Sequence, residues 1–383
     1  METPSPYIVK IVLTHRDAAF LGFLSWYGTF ILPKHVFAGT NWMTNPDNQA
    51  PVGSGPFVFQ SWKKGQSITL VPNKNYFKGA PKVGKLVFTF IPDSATALQA
   101  LLNGETDIDL DSVPYTDVPS LKANPKVQMS LITYPDFAYI DPNVQKAPMN
   151  NLQFREAMAY ALNRPVIADK ASAGVWPAAE GMYPPVISWA YNKNAKLPAY
   201  DPKKAEELLT AAGFKPNAQG VRATVNLVYF NIDPFTSIAL LIKDELAKVG
   251  INVTLVELDI NTWTTRVSVQ HNFDLSLLSG FQGPDPDALT GRIGPGGAEN
   301  NGRFSNPQIN SLLLKGEELT NQSQRAQVYG QIQSLMVKYL PIIPLTGDRE
   351  PTVVASYVKN LPWTGAEGKV TFDDFSTVTI TPH

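Results

Sequence analysis

The residues able to do chemistry in this chain are densest at 277–289, LLSGFQGPDPDAL, where an apolar run ends in glycine, two prolines and two aspartates, Asp285 and Asp287. A turn so rigid fixes the last side chains of the strand before it, and either aspartate can cap neighbouring N–H groups. Other constellations fail on spacing. Asp107, Asp109 and Asp111 in ETDIDLDS (105–112) are spaced like the first ligands of a calcium loop, yet Ser112 stands where glycine is needed and Val118 where a bidentate glutamate is needed. A strand with one acidic face fits them better. His15, His35, His271 and His383 form no i, i+4 pair, which disfavours zinc, nickel and haem together. GSGPF (53–57) and GPGGAENNG (294–302) lack a following Lys-Ser/Thr and a strand-to-helix setting, so they read as turns rather than phosphate cradles. There is no Gly-x-Ser-x-Gly elbow and no cysteine, which removes disulfides, thiolate metal sites and cysteine nucleophiles. What remains is recognition by a fixed strand end, with no cofactor and no enzyme activity expected. Hydrolysis is the alternative of another class and needs a carboxylate pair about 5–9 Å apart.

The elements that must position this site follow from periodicity. Strands are expected at 8–14, 68–72 and 85–92, and a helix begins after Asp93 and stops at Gly104. The segment 151–164 is helical. DPKKAEELLTAAGF (201–214) has Asp201 as N-cap, Pro202 at the first helical position and Gly213 at the end. A strand at 223–230, a helix with Ile238, Leu241, Ile242, Leu246 and Val249 on one face, and a strand at 251–258 form a βαβ unit. A third unit has a helix to about His271 and a buried strand over 273–279, so LLSGFQGPDPDAL follows the carboxyl end of a sheet strand, where open α/β sheets hold ligands. A bare strand exit without ligand is the plainer reading of the same residues. Two helices, 306–320 and 322–340, and two β-like stretches, PIIPL and TVVASY, close the chain.

With 383 residues, 44% hydrophobic, the chain has material for more than one core. Its 32 Lys and Arg balance 33 Asp and Glu, a net charge of −1, which gives no electrostatic footprint for nucleic acid or an anionic membrane. No apolar run approaches the ~20 residues of a membrane span. METPSPYIVKIVL has none of the parts of a signal peptide. The lack of cysteine fits an exported bacterial protein.

Several stretches taken together resemble family 5 of the bacterial extracellular solute-binding proteins, the dipeptide and oligopeptide-binding class that serves ABC importers. They are GSGPFVFQSWKKGQSITLVPNKNYFKGAPKVGKLVFTFIPDSATALQALLNGETDID (53–109), APMNNLQFREAMAYALNRPVI (147–167), YDPKKAEELLTAAGF (200–214), and GPDPDAL with GRFSNPQINSLL within 283–313. The resemblance implies an α/β, two-lobed periplasmic-binding-protein-like fold of type II, cluster C, closing on a solute and presenting it to a membrane permease. It implies lobe one from 1–140 plus 347–383 and lobe two from 141–346, with hinge crossings in TYPDFAYIDPN (133–143) and PLTGDR (344–349). It also implies a periplasmic or lipid-anchored extracellular setting. The N-terminal part of lobe one stands before residue 1 in the family, which implies a truncated or split chain, with unpaired strand edges and a missing fragment as a second polypeptide partner. In that last case the chain binds nothing and serves as a structural partner.

In oligopeptide-binding relatives an acidic residue after this strand pairs with the solute's amino group. Here Gln282, Gly283 and Pro284 separate Phe281 from Asp285, so either Asp285 does the pairing or the solute carries no such charge. A buried ammonium without a partner would cost roughly 3–5 kcal/mol. The expected ligand-binding set is Trp26, Tyr27, Trp263, Ser279, Gly280, Phe281, Gln282 and Asp285, for a short peptide or, in the alternative, an oligosaccharide or opine-like compound stacked on aromatics. Trp263 is the leading aromatic. Trp176, Trp189, Asn300 and Asn301 are further candidates for a sugar.

Overall fold

The computed structural model describes residues 1–25, 30–110, 113–232, 234–361, 363–364, 369–370 and 375–381. The chain divides into two units: unit 1 is Met1–Tyr27 with Tyr134–Asp348, and unit 2 is Gly28–Thr133 with Arg349–His383.

The chain begins in unit 1 with a short hairpin, β1 (Glu2–Ser5) and β2 (Ile8–Lys10), and a one-turn helix, α1 (Phe20–Leu24). Residues 1–27 group with unit 1 rather than with lobe one, where the resemblance placed them. The cause is local: Ala18 N–H donates to the Glu317 carbonyl at 2.9 Å and His15 Nε2 lies 2.7 Å from the Glu317 carboxylate. The strand expected over 8–14 ends at Lys10.

In unit 2, α2 (Lys34–Phe37) precedes an antiparallel meander of β3 (Phe57–Lys63), β4 (Ser67–Pro72) and β5 (Leu86–Thr89). Asp93 caps α3 (Ser94–Leu102) by accepting the Thr96 N–H at 2.8 Å, and the positive φ of Gly104 ends it. The acidic run 105–112 contributes β6 (Ile108–Asp109), and α4 (Val118–Lys122) follows. Leu98, Leu101, Val113, Leu121 and Val353 form one core cluster of this unit, and Val354, Ala355, Val358, Phe375 and Val378 another.

The 16-residue strand β7 (Val127–Pro142) carries the chain from unit 2 into unit 1 at 133/134. Then come α5 (Leu152–Ala161), α6 (Arg164–Ser172) and α7 (Pro202–Ala211), the last with Asp201 accepting the Lys204 N–H at 2.9 Å. The expected βαβ unit is β8 (Ala223–Phe230), α8 (Phe235–Ala247) and β9 (Ile251–Leu258), with β8 and β9 parallel and in register from Ala223↔Ile251 to Phe230↔Leu258. The next helix, α9 (Ile260–Thr264), runs into a π turn over Thr265–Val269 and leads to β10 (Leu275–Phe281). α10 (Ala288–Ile293), α11 (Pro307–Glu318) and α12 (Gln322–Tyr339) complete the helices. PIIPL and TVVASY prove to be parts of one strand, β11 (Ile343–Ala355), which returns the chain to unit 2 at 348/349. The sheet of unit 1 has the order β11-β7-β10-β8-β9, and the far part of β11 pairs with β6 in unit 2. Strand β10 is parallel to β8 and antiparallel to β7, with Phe281 opposite Asp136 and Gly280 opposite Phe137.

Candidate functional site

The carboxyl end of β10 is the point where a buried strand reaches the surface. Leu275, Ser276, Leu277 and Leu278 are buried, Ser279 and Gly280 are half-exposed, and Gln282 is buried again. The chain leaves through Gly283 at φ +80°, where a Cβ would come within 2.6 Å of Ala288 Cβ and 2.8 Å of the Asp285 carbonyl oxygen, so only glycine fits the exit.

Two arginines hold this exit. Arg325 of α12 grips Asp285 with both terminal nitrogens, at 2.7 and 2.5 Å, donates Nε–H to the Gly316 carbonyl at 3.0 Å, and lies over the rings of Trp189 and Tyr329, each 5.4 Å from its guanidinium carbon. Burial opposes the charge of Arg325, but the Asp285 carboxylate overrides it and holds the guanidinium well above its ordinary range. Tyr329 in turn donates to Asp287 at 3.4 Å, and Asp285 Oδ1 accepts the Asp287 N–H at 3.0 Å, which closes an Asx turn. Burial pushes the Asp287 carboxyl up to about 6. The second arginine, Arg292 of α10, is buried and meets the Tyr139 hydroxyl and the Glu299 carboxylate at 2.6 Å. A Cβ on Gly280 would lie 3.0 Å from both terminal nitrogens of Arg292, so the guanidinium occupies the space a side chain would need.

The strand end is bonded on both peptide faces. Gly280 N–H donates to Asp136 Oδ1 at 2.8 Å, Gln282 N–H to the Pro135 carbonyl at 2.6 Å, the Gln282 side-chain amide to the Gly280 carbonyl, and the Tyr183 hydroxyl to the Gln282 carbonyl at 3.0 Å. Gln282 Oε1 is buried without a hydrogen-bond donor. On the far side of β7, Asp141 is enclosed by the 294–302 loop: a Cβ on Gly302 would lie 2.4 Å from Asp141 Oδ1, and burial pushes its carboxyl up to about 8 against the opposing pull of Arg292, the Gly302 N–H and Asn301. Gly294, Gly297 and Gly302 of that loop serve close approach, since a Cβ on Gly297 would stand 2.2 Å from the Gly291 carbonyl oxygen.

Among the expected site residues, Ser279, Gly280, Phe281 and Gln282 stand together on β10 and its exit. Trp26 and Tyr27 lie outside the described residues. Trp263 differs from expectation. It is 8% exposed on α9, edge-on to Phe230 with centroids 5.4 Å apart, and its indole N–H donates to Ser276 Oγ at 3.1 Å, so it packs the core behind β10. Asp285 also differs, because both of its oxygens are engaged by Arg325 and so are not presented to a solute ammonium. Of the sugar candidates, Trp176 is buried, Trp189 lies under Arg325, and Asn300 staples its own loop by bonds to Gly294 and Phe304. Asp136, Arg292, Arg325 and Tyr183 were not foreseen. Arg325 is 40 positions from Asp285, and no local pattern announces such a pair. Among the described residues, no group of three or more His, Asp or Glu side chains is set to hold a metal, and no helix is long and apolar enough to cross a membrane.

The mixed α/β fold matches those of solved solute-binding proteins. A solved structure of the binding protein AgaA from A. tumefaciens R10, in complex with agropinic acid, matches all of this chain and 77% of its own length at 28% identity, with a TM-score of 0.84. The chain belongs to the bacterial extracellular solute-binding proteins, family 5, whose middle-region model ("family 5 Middle") matches residues 1–301. It is 31% identical to heme-binding protein A of Haemophilus influenzae over 88% of this chain, and 30% identical to di/tripeptide-binding protein 1 of Pseudomonas aeruginosa over 90%. It spans 62% and 65% of the lengths of these two curated relatives.

Proposed function

We propose that this chain is the solute-capturing part of an ABC importer. It holds a short peptide or peptide-like solute at the end of β10, outside the cytoplasm, and makes or breaks no bond in it. The observation that carries the reading is the strand end itself. Ser279 and Gly280 are half-exposed, while the Gly280 N–H, the Gln282 carbonyl and the Asp285 carboxylate beside them are held by Asp136, Tyr183 and Arg325. A strand end fixed in this way presents its half-exposed residues without having to be ordered first, and preorganisation of that kind favours tight capture. The relative named for di- and tripeptides supports the peptide class. The structure holding agropinic acid supports an opine-like solute as the second reading, on the same strand end. An oligosaccharide fits less well, because Trp263, the aromatic it leaned on most, packs into the core.

Native mass spectrometry of the purified chain tests this, with identification of what is released on denaturation. A peptide of two to a few residues is the expected release. An opine or a sugar would replace the peptide class and leave capture standing. A chain that carries nothing, and that no peptide or opine shifts in melting temperature, would end the reading.

A further inference from the structure

The net charge of −1 conceals a separation of charge within unit 2. Between Asp47 and Asp93 there is no acidic residue and no arginine, but there are six lysines: Lys63, Lys64, Lys74, Lys78, Lys82 and Lys85. All six are exposed, and among the described residues none of them is in a salt bridge. The acids that balance them follow as a separate block, from Asp93 to Asp117. Charge is screened over about 8–10 Å at physiological ionic strength, so a partner at the lysines meets the local charge and not the balance of the whole chain.

Four of the six lysines stand on the connection 73–85 between β4 and β5, which is pinned from within. Asn73 N–H donates to the Pro56 carbonyl at 2.8 Å, its side-chain amide donates to the Gly55 carbonyl at 2.9 Å, and its Oδ1 accepts the Asn75 N–H at 3.0 Å. Pro81 is buried, and Val83 packs against the core cluster of Val354, Val358 and Phe375. Between these anchors the chain holds out Phe77, 78% exposed, with Tyr76 edge-on at 4.9 Å and Lys78 Nζ 5.6 Å from its ring centre. Lys63 and Lys64 stand at the opposite end of β4, in the β3–β4 turn.

The residue types narrow the partner. Planar, bidentate recognition of a single carboxylate or phosphate is the work of arginine, and this stretch has none; lysines act as point charges and suit a diffuse anionic surface. A ring held out among them suits a medium that is anionic at its surface and apolar just beneath, as a bilayer is. We propose that the β4–β5 connection of unit 2 docks on anionic phospholipid, with Lys74, Lys78, Lys82 and Lys85 meeting the headgroup phosphates and Phe77 entering the interface. This stands apart from solute capture, since none of these residues belongs to the strand end of unit 1.

Co-sedimentation of the full chain with vesicles tests it, using phosphatidylcholine alone and an equal mixture with phosphatidylglycerol. Wild type is expected to bind the mixed vesicles only, and to leave them at high salt. Lys78→Gln with Lys82→Gln should weaken binding by about 5-fold for each lysine removed. Phe77→Ser should weaken it by about 10-fold. Lys63→Gln with Lys64→Gln should cost less than the Lys78 and Lys82 pair, and Lys193→Gln with Lys196→Gln, exposed in unit 1, should cost nothing. All these positions are exposed, so an unchanged melting curve is the control for folding. Equal binding to both kinds of vesicle, binding to neither, or a Lys78 and Lys82 variant that binds like wild type overturns the proposal. Retention on poly-glutamate without binding to mixed vesicles would assign the lysines to an acidic protein and overturn it equally.

Discussion

In unit 1 the strands β8 and β10 are buried along most of their length, whereas in unit 2 no residue of β3, β4 or β5 is fully buried. The sequence chemistry behind this is visible. Strands β8 and β9 are parallel, joined by α8, and a parallel sheet of this kind takes helices on its faces. The unit 2 meander is antiparallel and leaves Val58, Trp62 and Val87 exposed at 47%, 39% and 44%. The difference teaches where precision can be held. Unit 1 surrounds its strand end with two buried arginines and their carboxylates, and charged hydrogen bonds of that kind are strong and fix geometry. Unit 2 has no comparable network on its meander among the described residues and relies on two small apolar clusters.

The sharpest way to break this comparison is to remove one member of the network. Arg325→Met would leave Asp285 buried without its cation, and unit 1 should lose about 3–5 kcal/mol, as uncompensated buried charges do. Chemical denaturation reads this directly. Adding Asp285→Leu to the same chain should restore most of the loss, because the cost lies in the orphaned charge and not in the absent attraction. A double variant no better than the single one would mean that Arg325 acts through its stacking on Trp189 and Tyr329 instead.

Next in size is the contrast between apolar cores. Ile242 on α8 is wholly buried, and Ile242→Ala should cost about 2–5 kcal/mol, while Leu86→Ala on the half-buried β5 should cost about 1 kcal/mol. Separate unfolding transitions, followed by hydrogen exchange on each unit, would show whether the two costs fall where expected. Equal costs would mean that the meander is covered in solution.

How much of this was legible in the sequence follows from the range of the interactions involved. Helix α7 was read almost to the residue, because Asp201, Pro202 and Gly213 are local signals. The βαβ unit was read from two periods meeting at Gly250. Strand β11 was read as two pieces, because Gly347, Asp348, Glu350 and Pro351 resemble a loop, and only pairing in the sheet makes them extended. The strand expected over 273–279 runs Leu275–Phe281, two residues later at each end, and its turn chemistry announced the exit at Gly283. The guards of that exit were not announced, since Asp136, Arg292 and Arg325 come from β7, α10 and α12 and converge only in the folded chain. Trp263 was drawn towards the solute by the resemblance, whereas its indole N–H closes a core hydrogen bond to Ser276.

A smaller effect separates the units by pH. The Asp141 carboxyl is raised from its ordinary 3.8 to about 8, chiefly by burial. The folded state therefore keeps a proton that the unfolded state has already lost. The stability this contributes is complete below about pH 4, declines as pH rises, and is gone above about pH 8. Unit 1 should accordingly weaken by on the order of 1–3 kcal/mol between pH 5 and 8. Asp141→Asn should flatten that dependence and raise the melting temperature at pH 8, with little change in unit 2. A pH profile left unchanged by the substitution would assign the titration elsewhere, Asp287 being next with its carboxyl at about 6.

The smallest expected effect bears most on unit 2. Val58, on β3, is 47% exposed, and Val58→Thr keeps both the β-branched shape and the strand preference, so stability should change by less than about 0.5 kcal/mol. Its use lies in the contrary outcome. If this change, or Trp62→Ser beside it on the same strand, cost as much as Leu86→Ala, the outer row of β3 would have to be buried in solution. The contrast between a buried unit 1 sheet and an open unit 2 meander would then belong to the isolated chain and not to its working state. Sedimentation of wild type and variant at two concentrations would separate burial by a second copy, which depends on concentration, from burial within one chain, which does not.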